Sequence, residues 1–182
     1  MTKMNKKLKG TTTPRLHSVP LTGKSRVSEL VEIAKLIKRP LMPWQLHVAT
    51  DLLKIDAKGM FVKKSSLLIM ARQCGKSEFA RMLCLAHLFR FGSKNVLIMS
   101  SNRSMALTSF REMIYDIEST PELMAMVKQI RHANGTESIE LLSGARLDVV
   151  AGTRDGSRGR TADFLWIDEL REIDEQGFTA AT

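Results

Sequence analysis

Only two cysteines, Cys74 and Cys84, occur in 182 residues, which excludes a disulfide framework and a cysteine-based zinc cluster. With a helical segment between them their Cα atoms stand ~15 Å apart, beyond the ~7 Å that a bridge can span. A reducing, cytoplasmic location is the expectation that follows. The four histidines, His17, His47, His87 and His132, are scattered and share no ligand spacing with either thiol. No apolar run approaches the ~18 residues of a membrane span, and no apolar core follows the basic N-terminus as a secretory signal would require. Internal repeats are absent. Hydrophobic residues at 43% and charged residues at 26% describe an ordinary globular chain. Its length predicts one domain that buries about 70% of its unfolded surface.

Acidic residues are missing from one region in particular. Residues 1–26 contain Lys3, Lys6, Lys7, Lys9, Arg15, Lys24 and Arg26 and no Asp or Glu, so seven of the nine net positive charges lie there. The rest of the chain is almost neutral. This arm, rich in Lys, Thr, Ser, Gly and Pro, predicts a flexible segment. It can bind DNA phosphates, each neutralised charge adding salt-sensitive affinity, or it is a solvated tail.

From residue 27 onwards apolar periodicity takes over. Val27, Leu30, Val31, Ala34 and Ile37 predict a helix stopped by Pro40. Pro43 suits the first turn of a second helix, whose stripe continues through Trp44, Val48, Leu52 and Ile55. Ser66-Leu67-Leu68-Ile69-Met70 predicts a strand buried on both faces, as in a parallel sheet. A helix from Lys76 to about Phe89 follows, then a buried strand Asn95–Ser100, then a helix through Ala106, Phe110, Met113 and Ile117. Pro121 opens a predicted helix through Leu123, Met126, Val127 and Ile130. Ile139–Leu142 and Ala145–Val150 read as a hairpin turning at Ser143-Gly144. A Gly- and Arg-rich loop, 152–160, precedes a last strand, Phe164-Leu165-Trp166-Ile167. Strands alternating with helices indicate an α/β fold with a mostly parallel sheet flanked by helices and a β-hairpin addition.

The strongest chemical signal is Met70-Ala71-Arg72-Gln73-Cys74-Gly75-Lys76-Ser77, between a predicted strand and a predicted helix. That is the setting of a phosphate-binding loop. Main-chain N–H groups of Arg72 to Ser77 and the helix dipole favour phosphate oxygens. Gly75 admits the close approach, Lys76 reaches the β- and γ-phosphates, and the Ser77 hydroxyl can ligate Mg²⁺. Met70 stands where such loops usually carry their first glycine. The second signal is Phe164-Leu165-Trp166-Ile167-Asp168-Glu169, an apolar strand ending in two carboxylates. Ligands gather at the carboxyl ends of parallel strands, so both motifs would meet at one site. Asp168 would hold Mg²⁺ and Glu169 would polarise the water that attacks the γ-phosphate; Asp168 is equally suited to cap a helix. Pro43-Trp44-Gln45 adds a third piece: the Gln45 amide can read an adenine edge, or the tripeptide is a helix start with a core tryptophan.

Taken in order, Pro43-Trp44-Gln45, Ala71-Arg72-Gln73-Cys74-Gly75-Lys76-Ser77, Ser101-Asn102-Arg103-Ser104-Met105-Ala106, and Arg158-Gly159-Arg160 leading into Trp166-Ile167-Asp168-Glu169 resemble the ATPase domain of tailed-phage terminase large subunits over about residues 40–175. In that family the first glycine of the loop is characteristically replaced, so Met70 fits the pattern. The resemblance implies a P-loop NTPase of the ASCE type that binds ATP and Mg²⁺. It implies that Trp44, Gln45, Arg72, Gln73, Cys74, Gly75, Lys76 and Ser77 contact nucleotide, that Ser77 and Asp168 hold the metal, and that Glu169 and Arg72 are catalytic. It further implies a homo-oligomeric ring on a portal protein, a small terminase subunit as partner, and double-stranded DNA as the cargo driven into procapsids in the host cytoplasm.

The family's C-terminal nuclease domain has no counterpart in these residues, and the domain 27–182 is expected to be incomplete at its C-terminus. Thr179-Ala180-Ala181-Thr182 resembles the family's coupling motif, but only nine residues separate it from Glu169, fewer than the ~10–12 a parallel crossover needs. Residues 172–182 are therefore expected to begin a helix, and hydrolysis by this chain alone is expected to be weak. Arg72 stabilises the γ-phosphate in cis or pairs with a nearby carboxylate. Arg154, Arg158 and Arg160 meet nucleotide, a neighbouring subunit or DNA, or lie in a solvated loop. A superfamily 2 helicase-like translocase is disfavoured by Leu170-Arg171 after the acidic pair. A non-enzymatic DNA-binding fragment is the other alternative.

Overall fold

The computed structural model describes residues 11–100, 103–133, 135–151 and 161–170. Arg154, Arg158, Arg160, the expected helix 172–182 and the segment Ser101-Asn102 lie outside the described residues. Helical spacing produces α1 (Val27–Leu36), α2 (Pro43–Leu52), α3 (Lys76–Phe89) and α4 (Arg103–Glu118), with a single turn α5 (Pro121–Met124). The strands are β1 (Asn95–Ser100), β2 (Val127–Arg131), β3 (Ser138–Leu141), β4 (Arg146–Ala151) and β5 (Phe164–Asp168). They form one sheet in the order β2-β3-β4-β1-β5, with β1 parallel to both β4 and β5 and the β2–β3 and β3–β4 pairs antiparallel. No helix among the described residues is long and apolar enough to cross a membrane.

β1 lies at the centre of the parallel part and is buried along its length after Asn95, as expected of a strand covered on both faces. One face, with Val96, Ile98, Leu147, Val149 and Trp166, joins the main core of α1, α3 and α4, where Leu30, Ile33, Phe79, Phe110 and Met113 are buried. On the other face Leu97, Met99 and Val150 pack with Ala162, Leu165 and Ile167. The Asp163 carboxylate accepts from the Lys94 and Asn95 main-chain N–H groups at 2.7 and 2.9 Å. This clamp sets the β1–β5 register that places Asp168 level with Ser100 at the carboxyl end of the sheet.

Two expected elements differ. Residues 66–70 are not a strand, and Leu67 and Ile69 are 71% and 82% exposed. Among the described residues β5 pairs only with β1, so its outer edge is open, but residues 66–70 form no ladder with it. The helix expected after Pro121 stops at Met124, and Val127–Arg131 pairs with β3 instead. An irregularity in the ladder between Val127 and Gln129 explains the mistaken period. A bulge inserts a residue, so Val127 and Ile130, three apart, both turn inward.

Residues 1–10 of the expected arm are outside the described residues, while its later part is tied to the end of α2. The Leu21 N–H donates to Asp51 Oδ1 at 2.7 Å, Arg26 N–H to the Leu53 carbonyl at 2.9 Å, and Ile55 N–H to the Lys24 carbonyl at 3.0 Å. Asp51 is also paired with Lys63.

His87, near the end of α3, is stacked on Phe164 with ring centroids 4.0 Å apart, with Phe91 perpendicular and Phe61 tilted against it. Its Nδ1 lies 2.8 Å from Ser93 Oγ. Burial, reinforced by the nearby Arg26 charge and opposed by Asp163, pushes its pKa from 6.5 down to about 4. The unfolded chain therefore binds a proton at a pH where the folded chain does not. Stability should be full above about pH 6.5 and fall as the pH drops through the window down to about 4, by at most ~3 kcal/mol. Denaturant midpoints at pH 7 and pH 4.5 measure this, and His87→Phe should remove most of the His87 share. An equal acid loss in that variant would assign the effect to other groups.

Candidate functional site

The phosphate loop runs from Met70 into α3 and is built around two left-handed residues, Gln73 at φ 59° and Gly75 at φ 81°. Gly75 is the N-cap of α3 and offers no side chain to cap the first turn. The N–H groups that open a 14-residue helix thus remain available to an external acceptor. The Lys76 ammonium folds back over the loop and donates to the Met70 and Ala71 carbonyls, each at 3.0 Å. Arg72 and Gln73 are exposed, Cys74, Gly75, Lys76 and Ser77 half-buried. The Cys74 thiol donates to the Arg72 carbonyl at 3.5 Å.

α2 lies beneath this loop. Pro43 occupies its first turn, and Gln45, three residues after Met42, returns its Oε1 to accept the Met42 N–H at 2.7 Å. This is half of a capping box. The Gln45 Nε2 donates to the Gly75 carbonyl at 3.0 Å, and Gln45 is completely buried. Trp44 is half-buried and meets the Phe79 ring edge-on, with centroids 5.6 Å apart. The reading of Gln45 as an adenine contact thus meets an amide whose two ends are both engaged by main chain.

Asp168 ends β5 and is half-buried, and Glu169, exposed, takes a left-handed conformation at φ 54°. A left-handed non-glycine residue is uncommon and costs on the order of 1 kcal/mol. Here it turns the chain sharply as it leaves the sheet. The Asp168 carboxyl is held above its ordinary range by burial first and by the Glu169 charge second, while the Glu169 main-chain N–H and, more weakly, the Lys76 ammonium pull it down. The loop lysine is thus one of the charges that the strand-end carboxylate feels. Lys76, Asp168 and Glu169 share one neighbourhood.

Sequence reasoning passed over Met42 and Asp163. A Cβ at position 75 would come within 2.9 Å of Met42 Cε and 3.2 Å of Gln45 Nε2. The spacing from Met42 to Gln45 matches a helix N-cap and its third residue, and that was the available signal for Met42. Asp163 carried none, since its partners lie 68 and 69 residues earlier.

A family described as "Terminase large subunit, T4likevirus-type, N-terminal" matches residues 67–181, more than half of the chain. The chain belongs to this terminase large-subunit family. Its α/β sheet, with parallel core strands flanked by helices, is that of the terminase ATPase domains. The large terminase ATPase domain of Thermus phage P74-26 aligns with a TM-score of 0.62 at 19% identity, over 82% of this chain and 61% of that one. The large terminase of bacteriophage HK97 aligns with a TM-score of 0.67 at 16% identity, over 87% of this chain and 34% of that one. The terminase domain described here thus spans less than two thirds of either structure. No curated protein matches.

Proposed function

We propose that this terminase chain binds ATP·Mg²⁺ between the loop 70–77 and the end of β5, and hydrolyses it as the motor part of a DNA-packaging machine. The observation that carries the reading is the setting of the two motifs: Lys76 and Ser77 open α3 behind an N-cap glycine without a capping side chain, and Asp168 stands level with Ser100 at the carboxyl end of the parallel strands, which supports a phosphate-type cation and a metal-type carboxylate serving one site. The residues fit the ligand. Gly75 leaves the start of α3 uncapped, and Ser77 and Asp168 present the oxygen donors a hard divalent cation prefers. Among the described residues Lys76 donates to two loop carbonyls, bonds it can exchange for phosphate oxygens.

In this reading Lys76 draws charge from the β- and γ-phosphates while the α3 N–H groups orient them. Ser77 Oγ and the Asp168 carboxylate would hold the metal. Glu169 accepts the proton of the attacking water, and Arg72, exposed on the loop, balances charge that develops on the transferred group. Bound ATP·Mg²⁺ supplies the phosphoryl group and the metal charge that neutralises it. Double-stranded DNA, a portal, a small terminase subunit and a ring of copies are the partners this family membership suggests. The basic residues of the arm are suited to DNA phosphates.

The two cysteines provide the test. Cys84 is fully buried and burial pushes its thiol pKa up, so it should resist a thiol reagent, while half-buried Cys74 in the loop should react. ATP·Mg²⁺ should slow Cys74 modification by about tenfold at ten times its Kd, because only the unbound fraction reacts. Modification at the same rate with and without ATP·Mg²⁺ would refute binding at this loop.

A further inference from the structure

We propose that Gln45 is a positioning residue for the phosphate loop, acting through the Gly75 carbonyl and independently of the nucleotide base. The proposal rests on the nucleotide reading above and deepens it. Gln45 has 0% exposure, and a buried primary amide must find partners for its donor and acceptor ends. It finds both on the main chain: Oε1 accepts from Met42 N–H at 2.7 Å and Nε2 donates to the Gly75 carbonyl at 3.0 Å. One side chain therefore joins the residue that opens α2 to the residue that opens α3.

The Gly75 carbonyl is a sensitive point to hold. It also accepts the Phe79 N–H at 3.0 Å, the first bond of α3. It belongs, moreover, to the same planar trans peptide as the Lys76 N–H. In such a unit the C=O and N–H point in opposite directions. Holding the carbonyl towards Gln45 turns the Lys76 N–H outward, to the side where a phosphate would sit. Gly75 needs this support because its φ of 81° is only one of several conformations that glycine adopts readily. The shelf beneath it is closely fitted, with Met42 Cε and Gln45 Nε2 at 2.9 and 3.2 Å from the place of a Cβ. One Nε2 hydrogen and one Oε1 lone pair remain beyond these two bonds, but with 0% exposure the amide meets a base edge only if α2 or the loop moves aside. Gln45 thus acts on the phosphates, and a ligand without a base feels it as strongly as ATP does.

Calorimetry with two ligands, ATP·Mg²⁺ and inorganic tripolyphosphate·Mg²⁺, tests this on the full chain. Gln45→Glu keeps an acceptor for the Met42 N–H but loses the donor to Gly75. Gln45→Met, of similar length and without polar atoms, is measured in parallel and carries the test if the glutamate variant does not fold. Both ligands should bind each folded variant more weakly by the same factor, about tenfold, at a temperature well below its melting point. Loss of ATP affinity alone would mean that Gln45 reads the base, and would overturn the proposal while leaving the nucleotide site in place. A lower melting temperature with both affinities unchanged would mean that Gln45 only caps α2, and would overturn it too. Unchanged affinity and melting would do the same. If the unaltered chain binds neither ligand, the nucleotide reading itself fails, an outcome distinct from the others because it precedes any substitution.

Discussion

Replacing Lys76 with alanine is expected to weaken ATP·Mg²⁺ binding by about a hundredfold while leaving the fold in place. The ammonium makes charge-assisted bonds to phosphate, worth about 1.5–3 kcal/mol each. Against this gain stand the two 3.0 Å bonds to the Met70 and Ala71 carbonyls that it must give up. One of those bonds is exposed and the other only part-buried, so water replaces them at little cost and about 2–3 kcal/mol of the gain survives, which is about two orders of magnitude in Kd. For the same reason the substitution should move the melting temperature by only a few degrees. Lys76→Arg should recover only part of the affinity, because a planar fork replaces a compact point charge. The measurement is calorimetric titration beside a thermal melt. Undiminished affinity in the alanine variant would remove Lys76 from the site and with it the present account of the loop.

The parts of this molecule that were legible in its sequence are those whose cause is local. Asn95–Ser100 and Phe164–Asp168 are short apolar runs with turn-forming neighbours, and both are strands. The hairpin about Ser143-Gly144 became β3 and β4, because alternating faces and a tight turn are written in consecutive residues. The family was legible for a different reason: several short motifs in a fixed order are far more specific than any one of them.

What was not legible is non-local. Whether Ser66–Met70 enters a sheet depends on the presence of a neighbouring strand, which no feature of those five residues encodes. Their apolar character was read correctly and their burial was not, with Ile69 at 82% exposure. Val127 and Ile130 have the spacing of a helix, and only pairing with Ser138–Leu141 through an irregular register makes them a strand. Gln45 was singled out for its amide chemistry, which is indeed in use. Its partner on the loop, the Gly75 carbonyl, lies thirty residues along the chain, and a side chain's choice between ligand and main chain is made by the fold.

The second large effect is expected at Glu169, where Gln should lower the rate of ATP hydrolysis by about 10³-fold and leave ATP affinity nearly unchanged. General-base assistance contributes about 10²–10⁴ to such reactions, and an amide in place of the carboxylate cannot accept the water's proton. Glutamine has the same length and tolerates φ 54° about as well as glutamate does, so the chain's departure from β5 should be preserved. The charge change also helps binding slightly. The Glu169 charge is one of the influences that hold the Asp168 carboxyl above its ordinary range, and its removal makes Asp168 easier to ionise for a metal. Lys76→Ala and Glu169→Gln should therefore separate cleanly, one losing affinity and the other losing turnover. Glu169→Asp retains the charge but withdraws the carboxylate by one methylene, and misplacement on that scale costs about 10²-fold. Single-turnover phosphate release, with protein in excess over labelled ATP, reads even slow rates. Glutamine and wild-type chains hydrolysing ATP at the same rate would show that the proton leaves by another route, and the catalytic role given to Glu169 would have to be abandoned.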